Sequence, residues 1–219
     1  AFDITTILLE ILPDPRALPP QESEHYRPTL NPRARLDDWY YDQYFKKEYK
    51  RLVALNKKRA FDLVCELLLS FRTHEHRDQK EEQHKFEDNS YIPRGAIEDH
   101  EQNHDHSDTE DVLIDAIRDI GIEILKENPG SIKELYAELV ARKWTVFRRL
   151  AFFLLAEVAE SAPELVAQEL TNEEHFDVND IEHEYSRLMR AGFKLLSEPQ
   201  QKTILGWIDE AHHISEYLR

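Results

Sequence analysis

The 219-residue sequence has little glycine, a single cysteine and no long hydrophobic run. Its five glycines, about 2% of the chain against a usual ~7%, are too few for glycine-rich phosphate loops, Rossmann turns or a many-stranded β architecture. The lone Cys65 excludes internal disulfides and multi-cysteine zinc sites, and is typical of a reducing compartment. No apolar run reaches the ~20 residues of a membrane span, and no basic-then-apolar leader opens the sequence. We therefore expect a cytoplasmic protein without membrane contact.

Basic residues are also scarce, since 28 lysines and arginines face 44 acidic residues and the formal net charge is −16. A nucleic acid needs a basic surface, so we do not expect one as a partner of the whole chain. The G-x-x-x-x-G-K-[ST] pattern of phosphate loops is missing as well. These absences favour a protein that is not an enzyme and that needs no cofactor.

Helical periodicity is what the sequence does contain. Apolar residues recur at i, i+3 and i+4 along most of the chain, which predicts amphipathic helices. Ser131 with Glu134, and Ser197 with Gln200, have the spacing of capping boxes. The predicted helices span about 1–12, 36–55, 57–71, 108–127, 132–142, 145–160, 163–170, 181–196 and 198–218. This pattern predicts an all-α fold of stacked antiparallel helix pairs, either a HEAT-like right-handed superhelix or an irregular helical bundle.

Composition divides the chain into three parts. Residues 1–72 form an N-terminal helical domain with a proline-rich arm over 13–35, because repeated prolines cannot continue a helix. Residues 73–107 read as an acidic, histidine-rich linker with too few apolar side chains to form a core. Within it, the patch around Tyr91–Ile97 is apolar enough to dock locally. Residues 108–219 are predicted to form a C-terminal helical-repeat domain.

The histidines of the linker suggest metal chemistry. Imidazole and carboxylate groups together suit zinc or nickel, and the residues that would ligate are His100, His104, Asp105 and His106. A catalytic metal, however, needs ligands on rigid elements, and this stretch has almost no core. We therefore favour a solvated linker and keep a small metal-dependent hydrolase as the alternative function.

Other residues with reactive side chains have structural explanations. His175, Glu182, His183 and Glu184 flank a loop–helix junction, where charged residues are ordinary helix-capping and dipole partners. Cys65 falls on the apolar side of its helix and is expected to be buried. The His212–His213 pair is expected on the surface.

A basic and aromatic segment is the best candidate for binding a partner. Residues 33–59 carry nine lysines and arginines against four acidic residues, a net +5. The apolar stripe of the predicted helix comprises Tyr40, Tyr41, Tyr44, Phe45 and Leu52. Trp39 lies instead on the polar face with Lys46 and Lys50, at i+7 and i+11. An aromatic among lysines is typical of a binding hot spot, although Trp39 has an alternative role in packing against the proline-rich arm or the acidic linker.

Five stretches of the sequence carry a resemblance. They are DNSYIPRGAIEDHEQN (88–103), DVLIDAIRD (111–119), KWTVFRRLAFFLL (143–155), HEYSRLM (183–189) and LSEPQQKTILGWI (196–208). These stretches are similar to a region of long bacterial proteins that couple an effector or NTPase module to an α-helical superhelix, several of which resemble antiviral STAND-type sensors. The resemblance implies a HEAT- or TPR-like sensor or scaffold segment with no catalytic residues to carry over.

The sequence thus predicts a non-catalytic helical scaffold or sensor segment of a larger bacterial protein. Its expected partner is another protein or a neighbouring domain of the same parent chain. Besides the metal-dependent hydrolase, a helical adaptor that oligomerises through its apolar faces remains open.

Overall fold

The structure is a computed structural model that describes residues 2–14, 32–36, 38–75, 90–92, 94–99 and 109–209. Within these ranges the chain forms nine α-helices, several 3-10 turns and two strands of two residues each. The helices are α1 (Phe2–Leu8), α2 (Asp38–Leu55), α3 (Lys57–Glu75), α4 (Thr109–Glu127), α5 (Ile132–Val140), α6 (Thr145–Glu157), α7 (Pro163–Leu170), α8 (Glu182–Gly192) and α9 (Glu198–Asp209). The prediction of an all-α fold is confirmed.

The chain packs as two compact units that are not continuous in sequence. Unit 1 comprises residues 1–89 and 104–124, and unit 2 comprises residues 90–103 and 125–219. The division into domains 1–72 and 108–219 with a linker over 73–107 stays a prediction, because much of 73–107 lies outside the described residues.

The start of unit 1 corrects the prediction of one helix over 1–12. Helix α1 ends at Leu8, and strand β1 (Ile11–Leu12) pairs antiparallel with strand β2 (Arg33–Ala34). The amide of Arg35 extends this pairing by donating to the carbonyl of Glu10 at 2.9 Å. Pro13 follows β1 directly. Because proline has no backbone N–H group, a helix that continued through Pro13 would lose a backbone hydrogen bond there.

Helices α2 and α3 form the expected hairpin. Only Asn56 separates them, and its side chain accepts a hydrogen bond from the Arg59 amide at 2.9 Å, which caps α3. Cys65 is buried on α3, as predicted.

In unit 2, helix α6 is buried on nearly all sides. Its most extensive packing is against α8 and α5, so it lies between other helices of unit 2. The buried side chains of α6 include one charge, Arg149.

Two helix boundaries differ from the capping predictions. Ser131 makes no side-chain cap, and Asn128 instead accepts from the Gly130 amide at 3.2 Å, before the 3-10 turn that precedes α5. The Ser197–Gln200 prediction is confirmed in one direction, since the Gln200 side chain accepts from the Ser197 amide at 2.9 Å. The predicted extension of the last helix to about residue 218 lies outside the described residues.

Close packing of α8 on α7 depends on Gly192. A Cβ atom at Gly192 would lie 2.3 Å from Cγ1 of Val166 and 3.3 Å from Cδ1 of Leu170. A Cβ at Gly206 in α9 would meet nothing within 4 Å. Gly192 therefore has no space for a side chain, whereas Gly206 has space for one.

Substituting these glycines tests the packing. We expect Gly192→Ala to lower the free energy of unfolding by about 1–3 kcal/mol, because the added methyl group overpacks the contact with Val166. Gly206→Ala should raise it by about 0.5–1 kcal/mol, because alanine favours the helix and fits without a clash. Urea unfolding of both variants measures this; equal effects would contradict the packing of α7 on α8.

Candidate protein-binding face

The inner face of α2 is anchored by a row of aromatic rings. Tyr41 and Phe45 stack with ring centroids 6.0 Å apart, and Phe45 and Tyr49 stack at 5.6 Å. Tyr41 is buried, and its hydroxyl donates to the carbonyl of Leu9 at 3.4 Å. Burial raises the pKa of Tyr41 well above its ordinary value. This side of α2 is therefore committed to the core of unit 1.

The opposite side of α2 is exposed and basic. We call the exposed residues Tyr40, Lys46, Lys47, Lys50 and Arg51 the cationic face. At 100° per residue these positions fall within one arc of the helix, with Lys47 and Arg51 two and three turns beyond Tyr40. Tyr40 is 62% exposed. An exposed aromatic ring thus shares this arc of α2 with four cations, the nearest of which on its own line is Lys47, about 10 Å along the helix axis.

Two of the four cations form ion pairs with described residues, and two do not. Lys46 pairs with Asp42 at 2.8 Å, and Arg51 lies 3.6 Å from Glu48. Lys47 and Lys50 have no ion-pair partner among the residues that the structure describes. The unneutralised charge of the cationic face is therefore concentrated on adjacent turns of α2.

The predicted partner-binding residues have different outcomes. Trp39 belongs to α2, but its side chain lies outside the described part, so its role stays a prediction. Lys46 and Lys50 both lie on the cationic face, and their role in binding also stays a prediction. The assignment of Tyr40 to the core stripe is wrong, because the buried arc of α2 is centred on Phe45 and turns Tyr40 outward.

Sequence reasoning overlooked Lys47 and Arg51. Both lie on the same line of the helix as Tyr40, at i+7 and i+11, so the periodicity that grouped Trp39 with its lysines would have found them. The assignment of Tyr40 to the core failed because the predicted apolar stripe was wide, and Tyr40 lies at its outer edge.

Unit 2 contains a cluster of polar side chains around a buried ion pair. Arg149 of α6 and Glu184 of α8 are each 1% exposed, with Nε to Oε2 at 2.8 Å and Nη2 to Oε1 at 3.2 Å. Glu184 Oε1 also accepts from the Ile97 amide at 2.8 Å. Arg94 donates to the carbonyls of Ala96 and Ile97, both at 3.1 Å. Of the junction residues, Glu184 is therefore structural.

The carboxylate of Glu98 makes a second set of contacts with α8, and these lie closer to the surface. Glu98 pairs with Arg187, and His183 Nε2 lies 3.0 Å from Glu98 Oε1. Arg187 also pairs with Glu157 at 2.6 Å. We call residues 94–99 the strap, because both of these contact sets hold it against α8.

His175 is enclosed by neighbours rather than open to a substrate. Its Nδ1 lies 3.1 Å from Glu169 Oε2, and its Nε2 lies 3.1 Å from Arg148 Nη1. The ring of Phe152 meets it edge-on at 5.4 Å. Burial, and then the Glu169 carboxylate, raise the pKa of Tyr136 far above its ordinary value. This arrangement joins α5, α7 and the following loop, and we assign it to packing.

The predicted metal ligands cannot be placed. His100, His104, Asp105 and His106 lie outside the described residues, as does the His212–His213 pair. Across the described ranges, no group of three or more histidine, cysteine, aspartate or glutamate side chains is arranged to hold a metal ion.

Comparisons with known proteins give no relative. The chain matches no protein-family model, no curated protein and no solved structure. The resemblance to the helical region of STAND-type proteins therefore stays a prediction. In the part of the chain that the structure describes, no helix combines the length and the apolar character needed to cross a membrane.

The buried ion pair generates a stability prediction. Arg149→Met should lower the free energy of unfolding by about 3–5 kcal/mol, because it strands the Glu184 carboxylate inside unit 2. The double variant Arg149→Met/Glu184→Gln should recover part of this loss, because glutamine is neutral and still accepts from Ile97. Chemical denaturation measures both. A double variant no more stable than Arg149→Met would contradict this explanation.

The inner face of α2 generates a pH prediction. Burial, and then the carboxylates of Asp119 and Glu123, raise the pKa of Tyr49 to about 12, above the value of 10.0 for a free tyrosine. The folded state thus binds this proton more tightly, so its contribution is complete below pH 10 and is lost as the pH rises towards 12.

Urea unfolding between pH 8 and pH 11 tests this. Tyr49→Phe should lose less stability over that range than the natural chain, since phenylalanine has no proton to release. Tyr40→Phe removes a hydroxyl group from an exposed ring of the same helix and is the matched control. Identical slopes for all three proteins would refute the prediction.

Proposed function

We propose that this chain is a non-catalytic helical scaffold that binds an acidic protein segment through the cationic face of α2. The observation that supports this is a pair of lysines, Lys47 and Lys50, that have no ion-pair partner among the described residues and share the exposed arc of α2 with the ring of Tyr40. The opposite side of the helix is fixed by stacked rings, so the face is presented without rearrangement of the backbone.

The size of the face favours a short acidic segment over a nucleic acid. From Tyr40 to Arg51 the helix rises about 16 Å. A carboxylate-bearing segment of that length meets mainly the local positive potential, since charges beyond about 8 Å are screened at physiological salt. A longer polyanion would extend into the field of a chain whose net charge is −16.

The wider role is part of the same proposal. A scaffold or sensor would bind its partner through this face, and the partner is a separate protein or a neighbouring domain. A cytoplasmic location accords with the single buried cysteine, which forms no disulfide, because disulfides are rare in reducing compartments.

Binding of an acidic probe peptide tests the proposal. The probe is a fluorescein-labelled ten-residue peptide of alternating glutamate and leucine, titrated with the full chain and followed by anisotropy. Lys47→Glu/Lys50→Glu should weaken binding at least about tenfold, because it reverses both free charges. Tyr40→Ala should weaken it by up to about 2 kcal/mol, as for an aromatic hot spot.

The matched control reverses the same number of charges at another place in the chain. Lys133→Glu/Lys194→Glu reverses two exposed lysines of unit 2 and should leave the affinity within about twofold. Equal losses in both double variants would show binding by net charge alone and overturn the proposal. Unchanged binding in Lys47→Glu/Lys50→Glu would overturn it as well.

A further inference from the structure

A polar groove of about 380 Å³ runs beside α8 in unit 2. Its lining includes Tyr91 and Gly95, which precede α4 in the chain, and Glu182, Ser186 and Arg190 of α8. Its volume is within the range of small-molecule sites, which is about 300–1,000 Å³. The groove is open to solvent and belongs entirely to unit 2, so it is separate from the cationic face.

Gly95, one of these lining residues, belongs to the strap, which is held against α8. Ile97 is bound by the buried Glu184, and Glu98 is bound by His183 and Arg187. Both sets of contacts reach α8, which also contributes to the lining. The same interactions therefore fix these two parts of the lining to each other.

Charges of opposite sign lie at the two ends of the groove. Asp180 and Glu182 lie at the start of α8, and Arg190 lies in its last turn. Glu182 and Arg190 are exposed and have no ion-pair partner among the described residues. Eight residues separate them, or about 12 Å along the helix axis.

Helix-dipole preferences explain the signs of these charges but not their place in a groove. Arg149 also lies in the lining of the groove. Of its five N–H donors, Nε and one N–H of Nη2 bind Glu184, and Nη1 reaches the Ser90 carbonyl at 3.5 Å. The Glu184 carboxylate, which also lies in the lining, compensates this guanidinium, so the positive charge that has no ion-pair partner among the described residues is that of Arg190.

We propose that the groove binds a small zwitterion of dipeptide size, with its ammonium group towards Glu182 and Asp180 and its carboxylate towards Arg190. An extended dipeptide places its terminal charges about 7 Å apart. The side chains of Glu182 and Arg190 span the remaining distance. A ligand with only one charge would leave one end of the groove unused.

Titration of the full ¹⁵N-labelled chain with alanyl-alanine, followed by two-dimensional NMR, tests this. Saturable shifts should concentrate on the amides of Gly95 and Ser186. Acetate and ethylammonium, which carry the two charges separately, should each bind at least about tenfold more weakly, because each loses one charge-assisted contact. Acetate or ethylammonium binding as tightly as the dipeptide would overturn the proposal.

Substitutions of Glu182 and Arg190 test which side chains bind the two charges of the ligand. Glu182→Ala and Arg190→Ala should each weaken alanyl-alanine binding about tenfold. Glu164→Ala, at the start of α7, and Lys194→Ala, beyond α8, are the matched controls and should bind like the natural chain. Thermal unfolding of each variant confirms that it is folded. Absence of saturable shifts in the natural chain would show that the charges serve the helix dipole only, and would also overturn the proposal.

This inference does not rest on the cationic face of α2. The variants Lys47→Glu/Lys50→Glu should bind alanyl-alanine like the natural chain, so the two proposals fail or succeed separately.

Discussion

Unit 2 is organised by the need to compensate two buried charges. Removing a guanidinium and a carboxylate from water costs several kcal/mol per ion, and the mutual attraction of Arg149 and Glu184 repays it only with good geometry and further hydrogen bonds. The Ile97 amide and the Ser90 carbonyl supply those bonds. The hydrogen-bond partners of this buried ion pair thus come from a segment in the middle of the chain. Gly95 of the same segment lines the groove along α8.

Helix α2 shows how one helix separates anchoring from recognition. Its stacked rings contact the core of unit 1, and its lysines and arginine are displayed on the opposite side. Because the inner face fixes the rotation of the helix, the outer residues are presented in a defined order. Tyr40 shows the strength of this constraint, since a large ring stays 62% exposed when its position falls on the outer arc.

Much of the fold could be predicted from periodicity, because apolar spacing reports which residues are buried within one helix. The α2–α3 hairpin, the burial of Cys65 and the central place of α6 all follow from such local patterns. Pairing of Ile11 with Ala34 could not be predicted, because it depends on a contact across the proline-rich arm. Nor could the partnership of Arg149 with Glu184, since each lies on an ordinary amphipathic helix and nothing local links them. Of the candidate site, the basic character of α2 was visible in the sequence, but the rotation that exposes Tyr40 was not.

The strap also affects how unit 2 can fold. Its amide at Ile97 and the carboxylate of Glu184 are 87 residues apart in the chain. Closing a loop of that length costs about 4 kcal/mol of chain entropy, and this cost must be met before the contact can stabilise the fold. Helices α5 to α8 are neighbours in sequence and can associate quickly, whereas the strap must be captured from a distance. We therefore expect the docking of this segment to be the slow, non-local step in the folding of unit 2, because Arg149 and Glu184 lack their backbone hydrogen-bond partners until it occurs.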